Sequence, residues 1–259
     1  MSELSISIVG DSALNIVFSH TLDPTNGSRT YDPAGARRVR HALRLLNEHP
    51  IPGVIGCTPA YCALTIYYDP LTVGFDNLVH ELNDRLSPLD ADMEQWESEG
   101  RERSVIEVPV CYGGEFGPDL LAVAQACNQD VQEVIARHSA PTYDVGMMGY
   151  YPGFAYLTGL DQSLYVPRNL DPSKEIPAGS IGIGGRQTGI YGLGTPGDWN
   201  IIGRTPLKLL EITNVAKPLL EVGQGVKLVP ISPEEYEDIA TKVAKGTYEP
   251  HITRKEVQQ

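Results

Sequence analysis

Glycines surrounding one arginine form the stretch of this sequence with the clearest chemical potential. Residues 179–189 read GSIGIGGRQTG, which places many backbone N–H groups, unhindered by side chains, next to Arg186, Gln187 and Thr188. Such a run can form a concave anion-binding site. No Gly-Lys-Ser/Thr follows it, so it is not a P-loop. A glycine-rich hairpin explains the same pattern equally well, and the residues alone leave both interpretations open.

A second cationic position follows a short apolar stretch. Arg204 and Thr205 come directly after Ile201-Ile202-Gly203. An arginine at the end of a strand, next to a hydroxyl, is a suitable anchor for a carboxylate or an oxyanion. An arginine in a surface ion pair is the more common explanation of such a residue, and it also stays open.

Histidine and cysteine chemistry has little support in the sequence. The six histidines form no HxxxH or HExxH pair, the four cysteines form no CxxC pair, and no serine lies in a GxSxG motif. We therefore expect no metal site, no disulfide framework and a reducing compartment. His138 is the one histidine near the glycine-rich half, where it is either a base or a residue that stabilises a helix C-terminus.

The sequence GLGTPG at 192–197 matches GxGxxG, and Glu211 follows at a distance typical of a dinucleotide site. A dinucleotide site needs a helix that begins inside this loop. Pro196 and the turn-like residues after it favour a plain turn instead.

Composition and charge exclude several classes of function. The chain has 259 residues, is 41% hydrophobic and carries a net charge of −13. This acidity disfavours nucleic acid and anionic membrane surfaces as partners. The first residues, MSELSISIVG, do not resemble a signal peptide, and no apolar stretch approaches the ~20 residues of a spanning helix. We therefore expect a cytoplasmic protein.

Periodicity predicts a small α+β unit in the first hundred residues. Alternating and helical apolar spacings predict strands and helices in the order strand, strand, helix, strand, strand, helix. The two helices are expected at Ala34–His49 and Phe75–Leu86, with both on one face of the sheet.

The rest of the chain reads differently. Residues 88–103 are acidic and poor in branched apolar residues, so we interpret them as a linker. Beyond it we predict a strand at 105–110, helices at 118–127 and 131–138, and then short strands that include 207–210 and 226–229. We expect domains at 1–95 and 101–247, the second a barrel or sandwich, and a loose polar tail at 248–259.

Several long motifs occur in a fixed order and resemble a known family. They are PVCYGGEFGPDL at 109–120, HSAP at 138–141, GYYPGFAYLTGL at 149–160, PAGS at 177–180, QTGIY at 187–191 and IGRTP at 202–206. Together these are similar to the family of 5-oxoprolinase B subunits, also called allophanate hydrolase subunit 1 or KipI-like. The resemblance implies a ferredoxin-like α/β domain followed by a cyclophilin-like β-barrel.

The resemblance also implies an activity and partners. It implies one component, inactive alone, of an ATP-dependent hydrolase that opens 5-oxo-L-proline to L-glutamate. Its partners would be a protein of the allophanate hydrolase subunit 2 type, equivalent to a 5-oxoprolinase C-type subunit, and a 5-oxoprolinase A-type subunit. ATP, with magnesium, would be shared with these partners, and no cofactor would be covalently bound.

The chemistry of lactam opening assigns roles to the motif residues. Phosphoryl transfer to a lactam oxygen needs cationic and N–H donors around the phosphoryl group. We predict that His138 and Arg204 are catalytic. The residues predicted to bind substrate or phosphate are Tyr156, Ser180, Gly185, Arg186, Gln187, Thr188, Gly189, Tyr191 and Thr205.

Departures from the family pattern put the substrate in question. Arg186, Gly192, Asp198 and Ala155 replace the residues that the resemblance leads us to expect, and residues 25–35 form an extra stretch. Two other functions stay open. One is a KipI-like inhibitor of a sensor histidine kinase, and the other is half of a biotin-dependent, urea-type carboxyltransferase.

Overall fold

The computed structural model describes residues 4–19, 32–87, 89, 103–169, 175–211 and 218–255. Contacts divide the chain into two units, residues 1–101 with 256–259, and residues 102–255. Most of the acidic segment 88–103 and of the extra stretch 25–35 lies outside the described residues.

The first unit is an antiparallel sheet with two helices. The strands have the order β1-β2-β4-β3 in the sheet. The elements are β1 (Ser5–Val9), β2 (Ala13–Val17), α1 (Pro33–Glu48), β3 (Val54–Ala60), β4 (Ala63–Tyr68) and α2 (Phe75–Leu86). This matches the predicted order of strands and helices. Asp32 caps α1 by accepting a hydrogen bond from the Ala34 N–H, and Pro33 follows where its missing N–H costs least.

Both helices of this unit cover the same side of the sheet. Val39 of α1 and Leu82 of α2 belong to one buried cluster with Ile16 of β2 and Leu64 of β4. Apolar residues at helical spacing on the helices and at every second position on the strands produce this core, so the single-face arrangement follows from the two periodicities.

The second unit contains a closed barrel. Seven strands follow the order β6-β13-β5-β12-β9-β10-β7, and β6 pairs with β7 to close the ring. Its elements are β5 (Arg103–Tyr112), α3 (Leu120–Ala126), α4 (Val131–Ser139), β6 (Thr142–Met148), β7 (Ala155–Thr158), a 3₁₀ turn (Gln162–Leu164), β8 (Glu175–Ile176), β9 (Ser180–Gly184), β10 (Gln187–Ile190), β11 (Thr195–Pro196), β12 (Asn200–Arg204), β13 (Gly225–Ile231), α5 (Pro233–Ala244) and β14 (Ile252–Lys255).

The strands of the barrel alternate between a core and an outer face. Ile181 and Ile183 of β9 belong to the main core cluster, so Ser180, Gly182 and Gly184 face outward. A second, smaller cluster lies on that outer face and is built from Phe154, Ile176, Tyr191, Trp199 and Ile201, with Tyr156 packed against it.

A bulge in β12 decides which of its side chains face outward. Ile201 pairs with Gly182 and Gly203 pairs with Ile181, so Ile202 is an extra residue between them. Ile202 belongs to the barrel core, whereas Ile201 belongs to the outer cluster. The bulge therefore turns Arg204, which pairs with Ser180, to the outer face.

Two of the predictions for this unit were wrong, and one helix was not predicted. Residues 207–210 form no strand. Pro206 lacks an N–H, and the Leu207 N–H donates to Thr205 Oγ1 in a turn, so neither joins a strand ladder. The leucines of this segment are nevertheless buried. The helix α5 was missed. The expected loose tail instead contributes β14, which pairs with β5 through Ile252–Lys255.

Candidate functional site

His138 lies at the C-terminal end of α4 and is fully buried. Its Nε2 lies 2.9 Å from Thr188 Oγ1, and its Nδ1 lies 2.8 Å from the Tyr112 hydroxyl. The Thr188 hydroxyl donates its one proton to the Gly182 carbonyl, so it accepts from Nε2–H. Nδ1 then accepts from Tyr112, which fixes the tautomer of the ring.

Burial keeps His138 neutral. Burial lowers the pKa of the imidazole to about 3. Burial also raises the pKa values of Tyr112 and Tyr143, whose rings flank the imidazole. Tyr143 donates a hydrogen bond to the His138 carbonyl at 2.6 Å. Both ring nitrogens are therefore occupied and shielded from solvent, and in this conformation the ring lacks a free position for proton transfer.

Ser180 and Arg204 lie side by side on the outer face of the barrel. They are direct partners on β9 and β12, and Cys111 of β5 is the next partner in the same row. Partners in an antiparallel pair point to the same face. The hydroxyl of Ser180 is buried and makes no hydrogen bond with any described residue.

Arg204 is half-buried beside the aromatic rings of Phe116 and Tyr236. Its Cζ lies 5.8 Å from the centre of the Phe116 ring, and Phe116 packs at a tilt against Tyr236 of α5, with ring centres 4.4 Å apart. Burial raises the pKa of Tyr236, and the charge of Arg204 and a hydrogen bond with it oppose this rise. The guanidinium also donates, through Nη2, to the Glu115 carbonyl at 3.3 Å.

In the part of the chain that the structure describes, the charge of Arg204 has no acidic counterpart. Among the described residues, no carboxylate lies within ion-pair distance of its guanidinium, and its Nε is buried without a hydrogen-bond partner. Burying a cation without a counter-ion is costly, so this arrangement is one that an incoming anion would stabilise.

Tyr156 and Tyr191 belong to the aromatic cluster beside this row. Tyr191 is buried against Phe154, with ring centres 4.8 Å apart at nearly a right angle. Tyr156 packs edge-on to Trp199 at 5.8 Å. Burial raises the pKa of both tyrosines, so both hydroxyls are protonated near neutral pH and able to donate hydrogen bonds.

The residues predicted in the glycine-rich run do not form one concave loop. Gly185 and Arg186 form the turn between β9 and β10, and Arg186 lies over the Tyr165 ring at 5.7 Å. Gly185 has φ +65°, which glycine adopts at little cost. Of the two interpretations that the sequence left open for this run, an anion-binding loop and a glycine-rich hairpin, the structure shows the hairpin.

The other predicted positions in this run and beyond it support the sheet. Gln187 begins β10, and Thr188 points into the barrel core toward His138. Gly189 faces outward, where a Cβ would lie 2.8 Å from the Ala155 carbonyl oxygen. Thr205 is buried and accepts the Leu207 N–H in the turn after β12.

Six of the predicted residues separate into three pairs. Thr188 and His138 meet inside the barrel, Ser180 and Arg204 meet on its outer face, and Tyr156 and Tyr191 meet in the aromatic cluster. The sequence reasoning missed Phe116 and Tyr236, which hold Arg204, and it also missed Arg168. Phe116 lies inside the motif at 109–120. Tyr236 lies on α5 and Arg168 lies in a loop, and only the fold brings these two residues to the outer face of the barrel.

The described residues can also be compared with the sequence predictions about a dinucleotide loop, a metal site and a membrane span. The GLGTPG sequence carries the short strand β11 and opens no helix, so it lacks the helix that a dinucleotide site needs. No group of three or more metal-ligating side chains occurs among the described residues. Over the same part of the chain, no helix is long and apolar enough to cross a membrane.

Comparison with known proteins gives the family. Residues 4–220 match the model of the carboxyltransferase domain, subdomain C and D. A 5-oxoprolinase B subunit from Bacillus subtilis is 38% identical over 242 residues, which is 89% of this chain and 94% of that relative. The chain belongs to the family of 5-oxoprolinase B subunits.

Solved structures with the same fold include longer proteins. The crystal structure of TTHA0988 superposes with a TM-score of 0.69 at 28% identity, over 85% of this chain, and this chain spans 40% of that longer one. The urea amidolyase of K. lactis gives a TM-score of 0.75 at 17% identity, over 97% of this chain and 16% of the amidolyase, a likeness in fold alone.

Proposed function

We propose that this chain is one component of a 5-oxoprolinase-type complex, which opens 5-oxo-L-proline to L-glutamate at the expense of ATP. Its relatives named as 5-oxoprolinase B subunits support the kind of complex. The observation that carries the proposal is Arg204, a half-buried guanidinium without an acidic partner among the described residues. On a chain of net charge −13, such a cation favours an anionic substrate.

The reaction explains the need for this cation. A lactam is a stabilised amide, and its oxygen can be activated by attack on the terminal phosphoryl group of ATP, which releases ADP. Water then adds to the activated carbon, and breaking the C–N bond gives an acyl phosphate. A second water releases phosphate and leaves glutamate. Negative charge develops on the phosphoryl oxygens throughout, and guanidinium groups stabilise it well.

The residues of this chain take distinct parts in the proposal. Arg204 binds the anionic group, and the Ser180 hydroxyl beside it has a free proton to donate. His138 is a positioning residue, because it holds Thr188 and Tyr112 and is neutral. MgATP enters as a substrate together with the partner subunits, and no described residue is assigned to it.

Substitution of Arg204 in the reconstituted complex tests the proposal. The chain would be co-produced with partners of the C-type and A-type, and ATP hydrolysis that depends on 5-oxoproline would be measured. We expect Arg204→Ala to lower the rate by about 10²-fold, the effect typical of losing one charge-stabilising donor. Arg204→Lys, which keeps the charge but not the planar fork, should lose less.

A matched control is available on α4. Arg137 is an exposed arginine with two acidic partners, Glu133 and Asp161, and Arg137→Ala should leave the rate unchanged. Full activity of Arg204→Ala in a complex where the unsubstituted chain is active would remove Arg204 from the site. A complete set of subunits that shows no activity would overturn the proposal that the complex opens 5-oxo-L-proline.

A carboxyltransferase is the second candidate, because the matched family model carries that name. The two candidates differ in their requirements. A carboxyltransferase needs a biotinylated carrier, whereas lactam opening does not. Turnover of 5-oxoproline in a mixture that lacks any biotinylated protein would favour the first function, and strict dependence on such a carrier would favour the second.

A further inference from the structure

Arg168 and Trp199 form a platform on the outer face of the barrel that no predicted site includes. The Arg168 guanidinium lies over the indole of Trp199, with Cζ 5.8 Å from the ring centre. Its Nη1 lies 3.4 Å from Oδ2 of Asp198. The side chain of Arg168 is 52% exposed and that of Asp198 is 33% exposed, so both reach solvent.

The indole under Arg168 is held rigidly. Trp199 lies flat on the backbone of β9, because a Cβ on Gly184 would come within 2.7 Å of three indole atoms. Phe154 packs edge-on against the indole at 5.4 Å, and Tyr156 does so at 5.8 Å. Trp199 itself is only 5% exposed. The platform therefore needs no ordering when a ligand arrives, which favours binding.

Most of the binding capacity of Arg168 is unused. A guanidinium has five N–H donors in a planar fork, and Arg168 makes one long hydrogen bond, to Asp198, among the described residues. A fork of this geometry fits a carboxylate with two parallel bonds. Asp198 already places a carboxylate at the edge of the guanidinium, so that edge is accessible to a carboxylate.

Tyrosines surround this edge. The charges of Arg168 and Asp198 both act on the hydroxyl of Tyr156, whose pKa is raised mainly by burial. Tyr150 is exposed, and its hydroxyl donates to the Pro196 carbonyl at 2.8 Å. Tyr150 has φ +65°, an unfavourable value for a residue with a side chain, and such strain is concentrated at functional sites.

We propose that Arg168, held over the buried indole of Trp199, forms a subsite for a small cyclic carboxylate, with the carboxylate on the guanidinium. Asp198 is the resident counter-ion that the ligand displaces. The choice of 5-oxo-L-proline as ligand rests on the proposed function. Gly184 lies under Trp199, and Ser180 lies beside Arg204. These two residues are four positions apart on β9, which is about 13 Å. Arg168 and Arg204 therefore lie at opposite ends of one face of the barrel.

Fluorescence of Trp199 provides a direct test in the full chain. The protein has two tryptophans, so Trp96→Phe leaves Trp199 as the sole indole. We expect 5-oxo-L-proline to change the emission with saturation, and 2-pyrrolidinone, which has the same ring without the carboxylate, to cause no change at equal concentration. Arg168→Gln in this background should abolish the change.

Asp198→Asn gives a second variant that keeps the side-chain volume. Removing a competing exposed carboxylate should tighten binding about two- to fivefold, the equivalent of an exposed ion pair of up to about 1 kcal/mol. Arg137→Gln, at an exposed arginine that is also ion-paired, serves as the control and should bind as the parent does. Equal binding by Arg168→Gln and the parent, or equal binding of the neutral lactam, would show a surface ion pair only and overturn the subsite.

The failure of the subsite and the failure of the proposed function are distinguishable. Binding that needs Arg168, in a complex without turnover, would overturn the 5-oxoprolinase reaction and support the subsite. Turnover with an unchanged KM in Arg168→Gln would support the reaction and overturn the subsite. A KM that rises in Arg168→Gln while kcat is retained supports both.

Discussion

At the scale of single residues, His138 is a buried polar group that acts on its neighbours through two hydrogen bonds. The ring joins α4 to β10 through Thr188 and to β5 through Tyr112. Buried polar networks of this kind fix one arrangement of a core, because any other arrangement leaves a polar atom unpaired. The residue predicted to move protons therefore has the surroundings of a structural residue.

This burial predicts a pH dependence of stability. The folded-state pKa of His138 is about 3, below the value near 6.5 of an unfolded histidine, so the unfolded state binds more protons between these values. The contribution of His138 is fully present above about pH 6.5 and is lost as the pH falls toward 3. The slope should approach about 1.4 kcal/mol per pH unit inside that window.

In the Trp96→Phe background, urea unfolding followed by Trp199 emission measures this effect between pH 7.5 and 4.5. The difference between the parent and His138→Gln cancels the other five histidines. We expect the free energies of unfolding of the two proteins to converge as the pH falls. Parallel curves over the whole range would mean that the imidazole is not held neutral.

At the scale of elements, the hairpin β9–β10 is a platform whose outer face is made of glycine backbone. Gly182 and Gly184 lie under Trp199, and Gly189 lies under Phe154. The glycine-rich run that suggested an anion loop in the sequence is used here for close approach of aromatic rings to a strand.

Substitution of one of these glycines should displace the indole. We expect Gly184→Ala to shift the emission of Trp199 and to destabilise the barrel unit by about 1–3 kcal/mol, the usual cost of overpacking. Gly194→Ala is the matched control, since its Cβ would meet only ordinary contacts at 3.7 Å and beyond. Unchanged emission and stability in Gly184→Ala would contradict the seating of Trp199 on β9.

The sequence predicts elements better than it predicts which side chains meet. Helical spacing of apolar residues identified α1 and α2, because their pattern depends on local periodicity. The missed helix α5 also had a local signal, the SPEE sequence at 232–235, whose Ser232 and Glu235 form a capping box. The outward position of Arg204 had no local sequence signal, because it depends on the bulge at Ile202.

Contacts across long loops were beyond reach of the sequence for a similar reason. Arg168 and Asp198 are 30 residues apart and meet because the segment between them folds back as the hairpin β9–β10. The burial of His138 likewise depends on Tyr112, 26 residues away. The motifs placed the candidate site residues in the second unit, but only the three-dimensional fold separates those inside the barrel from those on its outer face.

At the scale of the whole molecule, β14 completes the barrel strand β5. The N-terminal half of β5, Arg103–Ile106, pairs with β14 on the side where its C-terminal end, Cys111–Tyr112, pairs with β12. Without β14, the backbone of residues 103–106 would be an open strand edge, which is a template for pairing with other chains.

Removal of β14 should therefore affect solubility as well as stability. We expect a chain that ends at Pro250 to unfold at a lower temperature and to aggregate faster, as measured by light scattering during heating. A chain that ends at Lys255 keeps the strand and is the control. Equal scattering by the two proteins would show that β5 does not depend on this pairing.

The distance along the chain between β5 and β14 has a consequence for synthesis. Thr253 pairs with Val105 across 148 residues. At typical rates of 5–20 residues per second, β5 leaves the ribosome roughly 7–30 s before its partner strand exists. During that interval its edge is available to neighbouring nascent chains, so the yield of folded protein should depend on how quickly translation reaches β14, and slow codons in the intervening segment should lower it.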